Sequence, residues 1–299
     1  KECDWSSDVC SSDLPLRERV PLYWSHCGSR RVWRRDLFED KWGFAPVQTL
    51  DDVTRIGREA VERGFAAVKT NPFDLMAGWT KFSSGFRMMP GFLDRNPDMK
   101  AIGEMKSIVA AFREGLGPDA GLMLDLNFNQ RTEGFLRIAR ALEEDNLTWL
   151  EIDMRDPEAL AHIRKSTRTP IASLEAAHGL HEYRHFFAHG AVDVAIIDVH
   201  WNGVWDSVRI ATLADAYEVQ VAPHNYSGHL SNMMAAQFCA AVPNIRIMEI
   251  DIDDVPWKDD LVTRAPVIAD GHIHVEDAPG WGTDVNEDAV KEHPAKAEF

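Results

Sequence analysis

The sequence predicts an α/β fold in which eight parallel strands close into a TIM-type barrel. Short apolar runs alternate with segments long enough for a helix, which is the pattern of a parallel sheet. Six runs end in a polar residue, and the numbers of successive end residues differ by 23 to 26, enough for one strand, one helix and two loops. Active sites of such barrels lie at the carboxyl ends of the strands, so these side chains should share one rim. The six are Asp125, Glu151, Glu175, Asp198, His224 and Glu249.

The remaining elements follow the same alternation. The first two strands are predicted over Val20–Ser25 and Phe65–Asn71, with an amphipathic helix over 51–63 between them that stops at Gly64. Further helices are predicted over 98–115, 131–144, 156–166, 179–189, 204–217 and 227–241. An open doubly wound sheet is the alternative, but it needs a glycine-rich phosphate turn after the first strand, which the sequence lacks.

The chain divides into three segments. Residues 1–14 lack periodicity and resemble the translation of a sequencing adaptor, so we expect an artefact outside the fold. Residues 15–258 carry the barrel, and within them residues 72–97 lack periodicity and predict a lid or a pocket wall. The alternation stops in residues 259–299, where an Asp-Gly turn predicts a strand pair that packs outside the barrel.

Composition narrows the class of protein. The 299 residues are 45% hydrophobic, which is enough to build one barrel of about 250 residues. A net charge of −16 argues against nucleic acid and anionic membranes as partners, and no apolar run is long enough to span a membrane. The four cysteines lack metal-binding spacing and indicate a reduced, cytoplasmic protein.

Three acids at the ends of successive strands predict a metal site. Asp125, Glu151 and Glu175 each follow an apolar run, so their carboxylates should converge on the rim. Such hard oxygen ligands suit an octahedral Mg²⁺ that keeps positions for water and substrate. Any one of them alone is better explained by a capped or salt-bridged acid, and the metal prediction depends on all three being in register.

The next two strand ends predict a general base. Asp198 and His224 end adjacent strands, and a carboxylate that holds an imidazole raises its basicity. Lys69, at the end of the second strand, adds a cation to the same rim. Together with a metal, these groups indicate removal of a proton next to a substrate carboxylate. No nucleophilic serine or cysteine elbow indicates acyl transfer.

From about residue 20 to 290, the ordered spacing of this set resembles the mandelate racemase subgroup of the enolase superfamily. The resemblance implies a (β/α)7β barrel, described as enolase C-terminal domain-like, and the superfamily's known chemistry of a Lys or His base with Mg²⁺. It assigns the metal to Asp125, Glu151 and Glu175, and the base to His224, oriented by Asp198. It also implies that Glu249 holds the substrate carboxylate or the enolate, together with Lys69.

The second strand departs from the subgroup. A second lysine, the base on the opposite face in that subgroup, is replaced by Asn71, which cannot remove a proton. A Lys-x-Asn strand resembles the galactonate-dehydratase branch, which implies a Mg²⁺-dependent sugar acid dehydratase with a 2-keto-3-deoxy product. That branch has a histidine as leaving-group acid where this chain has Asn127, so the acid is unassigned. Asn71 and Asn127 remain candidates for substrate binding, and the candidate acids are His26, Tyr23, Lys69, His200 and His224 itself.

Other functions remain open. An epimerase, a racemase or a lactone cycloisomerase shares the proton-abstraction step, and a catalytically inactive metal-binding barrel fragment is an alternative from a different class. A metallohydrolase would need two or more histidine ligands, whereas this rim is rich in carboxylates. The resemblance further implies that most of the amino-terminal α+β capping domain is missing. It also implies a small sugar acid as the partner and assembly into a homo-oligomer.

Overall fold

A computed structural model describes residues 16–73, 75 and 96–294. In this part of the chain, eight parallel strands alternate with helices. The strands are β1 (Arg19–Trp24), β2 (Ala67–Thr70), β3 (Gly121–Asp125), β4 (Trp149–Glu151), β5 (Ile171–Ser173), β6 (Val194–Asp198), β7 (Gln220–His224) and β8 (Met248–Ile250). The helices are α1 (Ser29–Trp33), α2 (Arg35–Phe38), α3 (Leu50–Glu62), α4 (Met99–Leu116), α5 (Thr132–Ala141), α6 (Pro157–Lys165), α7 (Gly179–His189), α8 (Val199–Asn202), α9 (Val204–Ala216), α10 (His229–Ala241) and α11 (Glu287–Glu292).

The strands close into a barrel. Each of the strands β1 to β6 pairs in parallel with the next, and β8 pairs in parallel with β1. Strand β7 is connected to the segment just before β8 by two backbone hydrogen bonds. The amide of Val221 donates to the carbonyl of Asn244 at 2.9 Å, and its carbonyl accepts from the amide of Arg246 at 2.8 Å. The predicted parallel α/β barrel is therefore confirmed.

Side chains fill the inside of the barrel below the rim. A cluster of buried residues from strands β1 to β7, with Ile247 just before β8, forms this inner layer, and Tyr23 packs edge-on against Trp149 with ring centroids 5.7 Å apart. A larger apolar cluster lies between the strands and the surrounding helices. The polar groups at the rim thus stand on a packed floor, as in other barrels of this type.

Local sequence explains where the helices begin and how closely they pack. Side chains of Thr49, Asp98, Asp156 and Asp198 accept hydrogen bonds from the first turns of α3, α4, α6 and α8. Helices α3 and α4 cross at two glycines. A Cβ at Gly115 would lie 2.1 Å from the carbonyl oxygen of Thr54, so a larger residue would force the helices apart.

The carboxyl-terminal tail adds to the sheet. The predicted strand pair is present as β9 (Ile268–Ala269) and β10 (His272–His274), joined by the Asp-Gly turn. Strand β10 pairs antiparallel with Arg19–Pro21, the first half of β1, so the hairpin attaches at the amino-terminal end of the barrel. The predicted artefact at 1–14 and almost all of the predicted lid at 72–97 lie outside the described residues.

The short helices α1, α2 and α8 were not predicted, because four or five residues show no periodicity. Strand β5 also ends earlier than predicted, at Ser173, since Leu174 has a positive φ of 95° and turns the chain before Glu175. No helix in residues 16–73, 75 and 96–294 has the length and apolar character needed to cross a membrane.

Candidate active site

The rim brings the predicted strand-end residues to one level. The strand register places Asp125 beside Glu151 and Asp198 beside His224. All six side chains are at most 7% exposed, although each is polar or charged. Because burying a charge is costly unless it is paired, the partners of these groups decide what the rim can do.

Lys69 lies at the centre of the carboxylates. Its Nζ is 3.0 Å from Oε2 of Glu151, 3.0 Å from Oε1 of Glu249 and 3.7 Å from Oδ2 of Asp125. Burial lowers the pKa of Lys69, but these negative neighbours outweigh burial and raise it well above its ordinary value. Lys69 is therefore an ammonium ion that ties β2 to β3, β4 and β8.

The carboxyl groups around Asp125 carry more negative charge than Lys69 can balance. Burial raises the pKa of Glu151, Lys69 lowers it, and Asp125 and Glu249 raise it again, to about 7. A hydrogen bond of 3.1 Å from Nε1 of Trp149 fixes the carboxylate of Glu151. The part of the rim around Asp125, Glu151 and Glu175, called the acid half below, would be stabilised by further positive charge.

A fourth acid in this half was not predicted. Asp153 is 3% exposed, lies against Glu175, and leaves its Oδ2 without a hydrogen-bond partner among the described residues. Burial, followed by the charges of Asp125 and Glu151, raises its pKa well above the ordinary value, and burial and Asp153 do the same for Glu175. Asp153 lies two residues after Glu151 and beyond the end of β4, where alternation along a strand no longer indicates the direction of a side chain, so the sequence carries no signal for it.

The donor set fits a hard divalent cation. Asp125, Glu151 and Glu175 supply buried carboxylate oxygens, and the raised pKa values of two of them show that extra positive charge is lacking. As the side chains are placed, with Lys69 between Asp125 and Glu151, no group of three acidic, His or Cys side chains in the described ranges is close enough together to hold an ion.

The predicted dyad is formed. Nδ1 of His224 lies 2.7 Å from Oδ2 of Asp198, and Nε2 lies 3.4 Å from Oε2 of Glu175. Burial lowers the pKa of His224, but the hydrogen bond to Asp198 and the charge of Glu175 raise it to about 9. The rings of Trp201 and Tyr226 lie 5.1 and 5.2 Å from the imidazole and partly cover it.

Glu249 differs from the acids of the other half. Its carboxylate accepts hydrogen bonds from the hydroxyl of Ser25 and, at 2.7 Å, from the backbone N–H of Asn225. Burial raises its pKa, but Lys69 and then His224 outweigh burial and lower it to about 2. Glu249 is therefore an ionised acceptor that positions Lys69.

The two predicted asparagines brace the end of β3. Nδ2 of Asn71 donates to the carbonyl of Asp125 at 3.3 Å, and its Oδ1 lies 3.3 Å from the hydroxyl of Ser29. Asn127 has a positive φ of 47°, and its backbone N–H donates to Oδ1 of Asp125 at 2.8 Å. Both residues therefore fix the first predicted metal ligand.

The three remaining candidates have different surroundings. His26 follows β1 and its Nδ1 lies 3.2 Å from Oδ2 of Asp251. Tyr23 is fully buried in the inner layer, with its ring 5.5 Å from Nζ of Lys69. His200 is exposed on α8 and makes no contact with the cluster, whereas the next residue, Trp201, faces His224. Within a four-residue helix, one position decides which side chain faces the rim, and sequence periodicity cannot resolve that.

A cavity of about 580 Å³ opens beside this cluster. Phe128, Asp153, Leu174, His178 and Trp201 are among the residues that line it. Two of its lining residues lie next to the site: Asp153 lies against Glu175, and the ring of Trp201 lies 5.1 Å from that of His224.

Two enzymes resemble this chain in sequence. The D-xylonate dehydratase of Haloferax volcanii is 30% identical over 244 residues, which are 81% of this chain and 57% of that protein. The D-galactarolactone cycloisomerase of Agrobacterium fabrum is 30% identical over 197 residues, 62% of this chain and 52% of that protein. The chain thus spans about half the length of the curated relatives it matches.

A solved structure from Burkholderia xenovorans resembles the fold. That protein, proposed to be an L-alanine-DL-glutamate epimerase and bound to magnesium and fumarate, superimposes with a TM-score of 0.87 and is 45% identical. The match covers 95% of this chain and 69% of that one. The sequence profile described as enolase C-terminal domain-like matches residues 52–289. The resemblance inferred from motif spacing is confirmed, and the chain belongs to the enolase C-terminal domain-like family of the enolase superfamily.

Proposed function

We propose that this chain is the catalytic barrel of a Mg²⁺-dependent sugar acid dehydratase. The reaction removes the proton next to the substrate carboxylate and eliminates the neighbouring hydroxyl, giving a 2-keto-3-deoxy acid. The observation that carries the proposal is the dyad at the rim, with His224 held by Asp198 at 2.7 Å and directed towards Glu175.

Asp125, Glu151 and Glu175 would hold the metal. A bound Mg²⁺ would supply positive charge next to the substrate carboxylate and so stabilise the negative charge that develops when the α-proton leaves. The ammonium of Lys69, on the same rim, adds a hydrogen-bond donor for that carboxylate or for the enolate.

His224 takes the α-proton at Nε2, because its Nδ1–H is donated to Asp198. The carboxylate of Asp198 then stabilises the imidazolium that forms. The electron pair of the broken C–H bond becomes the carbon–carbon double bond of the enol. The C–O bond of the β-hydroxyl breaks, its oxygen leaves as water after receiving a proton, and the enol rearranges to the keto acid.

Dehydration is favoured over two-base racemisation by the second strand. Asn71 stands where a second base would be needed, and its amide is bonded to the carbonyl of Asp125. The dehydratase from Haloferax volcanii adds support from sequence, whereas the 45% identical Burkholderia xenovorans structure keeps epimerisation as the second candidate. The cavity of about 580 Å³ beside the dyad has room for a sugar acid.

The proposal is tested by incubating the protein and Mg²⁺ with D-xylonate, D-galactonate, D-gluconate and D-mannonate. We expect a 2-keto-3-deoxy acid from at least one of them, measured as its semicarbazone, and no product in EDTA. Epimerised acid or lactone without any keto acid would favour the alternative reactions. Tight Mg²⁺ binding without any change in the four acids would favour an inactive metal-binding barrel.

A further inference from the structure

The rim contains a second imidazole–carboxylate pair, on the side away from the metal ligands. Nδ1 of His26 lies 3.2 Å from Oδ2 of Asp251, which is 1% exposed. The arrangement resembles that of His224 and Asp198, where Nδ1 also faces a buried carboxylate from the neighbouring strand end, there as a hydrogen bond of 2.7 Å. A repeated arrangement at one site suggests a second proton-transfer group.

Adjacent strands build this pair. His26 comes two residues after β1, Asp251 directly follows β8, and β1 and β8 are neighbours in the barrel. The carboxylate of Asp251 is held in place by Nη1 of Arg30 at 2.7 Å and by the amide of Asp253 at 3.2 Å. Nζ of Lys258 donates to its carbonyl at 2.9 Å. The position of His26 is therefore set by a rigid partner.

Two contacts connect the pair to the site described above. The hydroxyl of Ser25 lies 3.3 Å from Nδ1 of His26 and donates to Glu249, the carboxylate that positions Lys69. The ring of Tyr226 lies 5.9 Å from that of His26 and 5.2 Å from that of His224. The ring of Tyr226 thus lies near both imidazoles.

The free nitrogen of His26 is available to a ligand. With Nδ1 facing Asp251 at 3.2 Å and the hydroxyl of Ser25 at 3.3 Å, Nε2 makes no hydrogen bond to any residue in the described ranges, and the side chain is 20% exposed. The other candidate acids are committed elsewhere: Tyr23 is fully buried, Lys69 is bound by carboxylates, and His200 is exposed away from the cluster.

We infer that His26 is the acid that protonates the departing β-hydroxyl, with Asp251 as its positioning residue; this inference rests on the dehydration proposed above. As the C–O bond breaks, the oxygen keeps the electron pair and takes the proton from Nε2 of the His26 imidazolium, leaving as water. The α-proton has meanwhile gone to His224, which exchanges it with solvent, so that a solvent-derived proton is added to carbon 3 when the enol becomes the keto acid and gives up its hydroxyl proton. His26 regains its proton from solvent, so atoms and charge balance over one turnover.

The test separates proton abstraction from elimination in His26→Gln. On an aldonic acid that the wild type dehydrates, we expect keto-acid formation to fall by about 10²- to 10⁴-fold, the usual contribution of a general acid. Exchange of the α-proton in D₂O should stay within a few-fold of the wild-type rate, because His224 is intact. His274→Gln, the same change at an exposed histidine of β10 at the amino-terminal end of the barrel, is the matched control and should alter neither rate.

A fluorinated substrate supplies the rescue. Fluoride leaves with its electron pair and needs no proton, so the 3-deoxy-3-fluoro analogue of the same acid should lose fluoride in His26→Gln at nearly the wild-type rate. Unchanged dehydration in His26→Gln, equal loss of exchange and elimination, or no recovery with the fluoro analogue would each overturn the role of His26. A wild type that forms no keto acid from any aldonic acid would instead overturn the proposed function, and this inference with it.

A readout without substrate tests the positioning residue. In ¹⁵N NMR of the wild type, the proton of neutral His26 should reside on Nδ1. Asp251→Asn should shift the resonances of His26 towards a mixture of tautomers and leave those of His224 unchanged. Unchanged His26 resonances in a folded Asp251→Asn protein would contradict the positioning role, and His26→Gln still tests the acid if that variant unfolds.

Discussion

Glu151 and Glu249 have the same nearest cation and opposite pKa shifts. Each is at most 1% exposed and has an oxygen 3.0 Å from Nζ of Lys69, yet the pKa of Glu151 is raised to about 7 and that of Glu249 is lowered to about 2. Burial raises both pKa values, so the remaining neighbours decide. Glu151 faces Asp125, whereas Glu249 accepts hydrogen bonds from Ser25 and Asn225 and lies near His224.

The difference divides the rim into two functional halves. The acid half, formed by Asp125, Glu151, Asp153 and Glu175, has more negative charge than its surroundings balance, as expected of a cation site. The paired half, formed by Asp198, His224, Glu249 and the pair His26–Asp251, already has its hydrogen-bond partners and suits proton transfer. Lys69 joins the two halves. Experiments that act on one half and spare the other test this division.

The largest effect is expected from His224→Asn, in the paired half. Loss of the base should lower α-proton exchange and keto-acid formation together, by about 10²- to 10⁴-fold. Magnesium affinity, measured by calorimetry, should change little, because the change leaves the acids of the other half in place. Retained exchange in this variant would mean that another group removes the proton.

Lys69→Met should strongly destabilise the metal-free protein. It removes the cation shared by both halves and leaves buried carboxylates uncompensated, which costs about 3–5 kcal/mol of unfolding free energy in urea. Lys258→Met is the matched control, since Asp254, its ion-pair partner, is 27% exposed and its loss should cost less. Equal losses in the two variants would argue against a central role for Lys69.

The acid half should make metal-free stability fall as the pH rises. The folded pKa of Glu151, about 7, is above its ordinary value of 4.5, so the folded protein favours the protonated form and loses stability between pH 4.5 and 7. His224, raised from 6.5 to about 9, stabilises the fold fully below pH 6.5 and loses that contribution as the pH rises through 9.

Magnesium should reverse this trend. At 100 times its dissociation constant it should add about 2.7 kcal/mol at pH 8, and less at pH 5, where protons compete for Glu151. Melting temperatures in EDTA and in Mg²⁺ across pH 5 to 9 check both statements. Stability in EDTA that rises over this range would contradict the charge division.

The smallest effect is expected away from both halves. Thr49→Ala removes a side chain that accepts a hydrogen bond of 3.2 Å from the amide of Asp52 at the start of α3. It should cost about 1 kcal/mol of unfolding free energy, without changing magnesium affinity or the pH profile. A change in magnesium affinity or in the pH profile would show that a general loss of stability also alters the rim.

The sequence predicted those features that repeat along the chain. Strand ends recur with nearly constant spacing, so the six rim residues and the pairing of Asp198 with His224 could be predicted from the sequence. The structure places Nδ1 of His224 2.7 Å from Oδ2 of Asp198, and the roles of these residues stay predictions. Asp153 and Asp251 lie beyond their strands, where the alternating pattern no longer indicates direction. Loop conformations at single residues likewise decide that Trp201 rather than His200 faces His224, and that His26 contacts Asp251.

The most direct test of the central claim follows solvent deuterium through one reaction. The protein, Mg²⁺ and an aldonic acid would be incubated in D₂O, and the acid and its product examined by NMR and mass spectrometry. The account predicts a 2-keto-3-deoxy acid that has lost the α-proton and carries one deuterium at carbon 3. Deuterium at carbon 2 of the recovered acid, with no keto acid formed, would contradict dehydration and favour an epimerase.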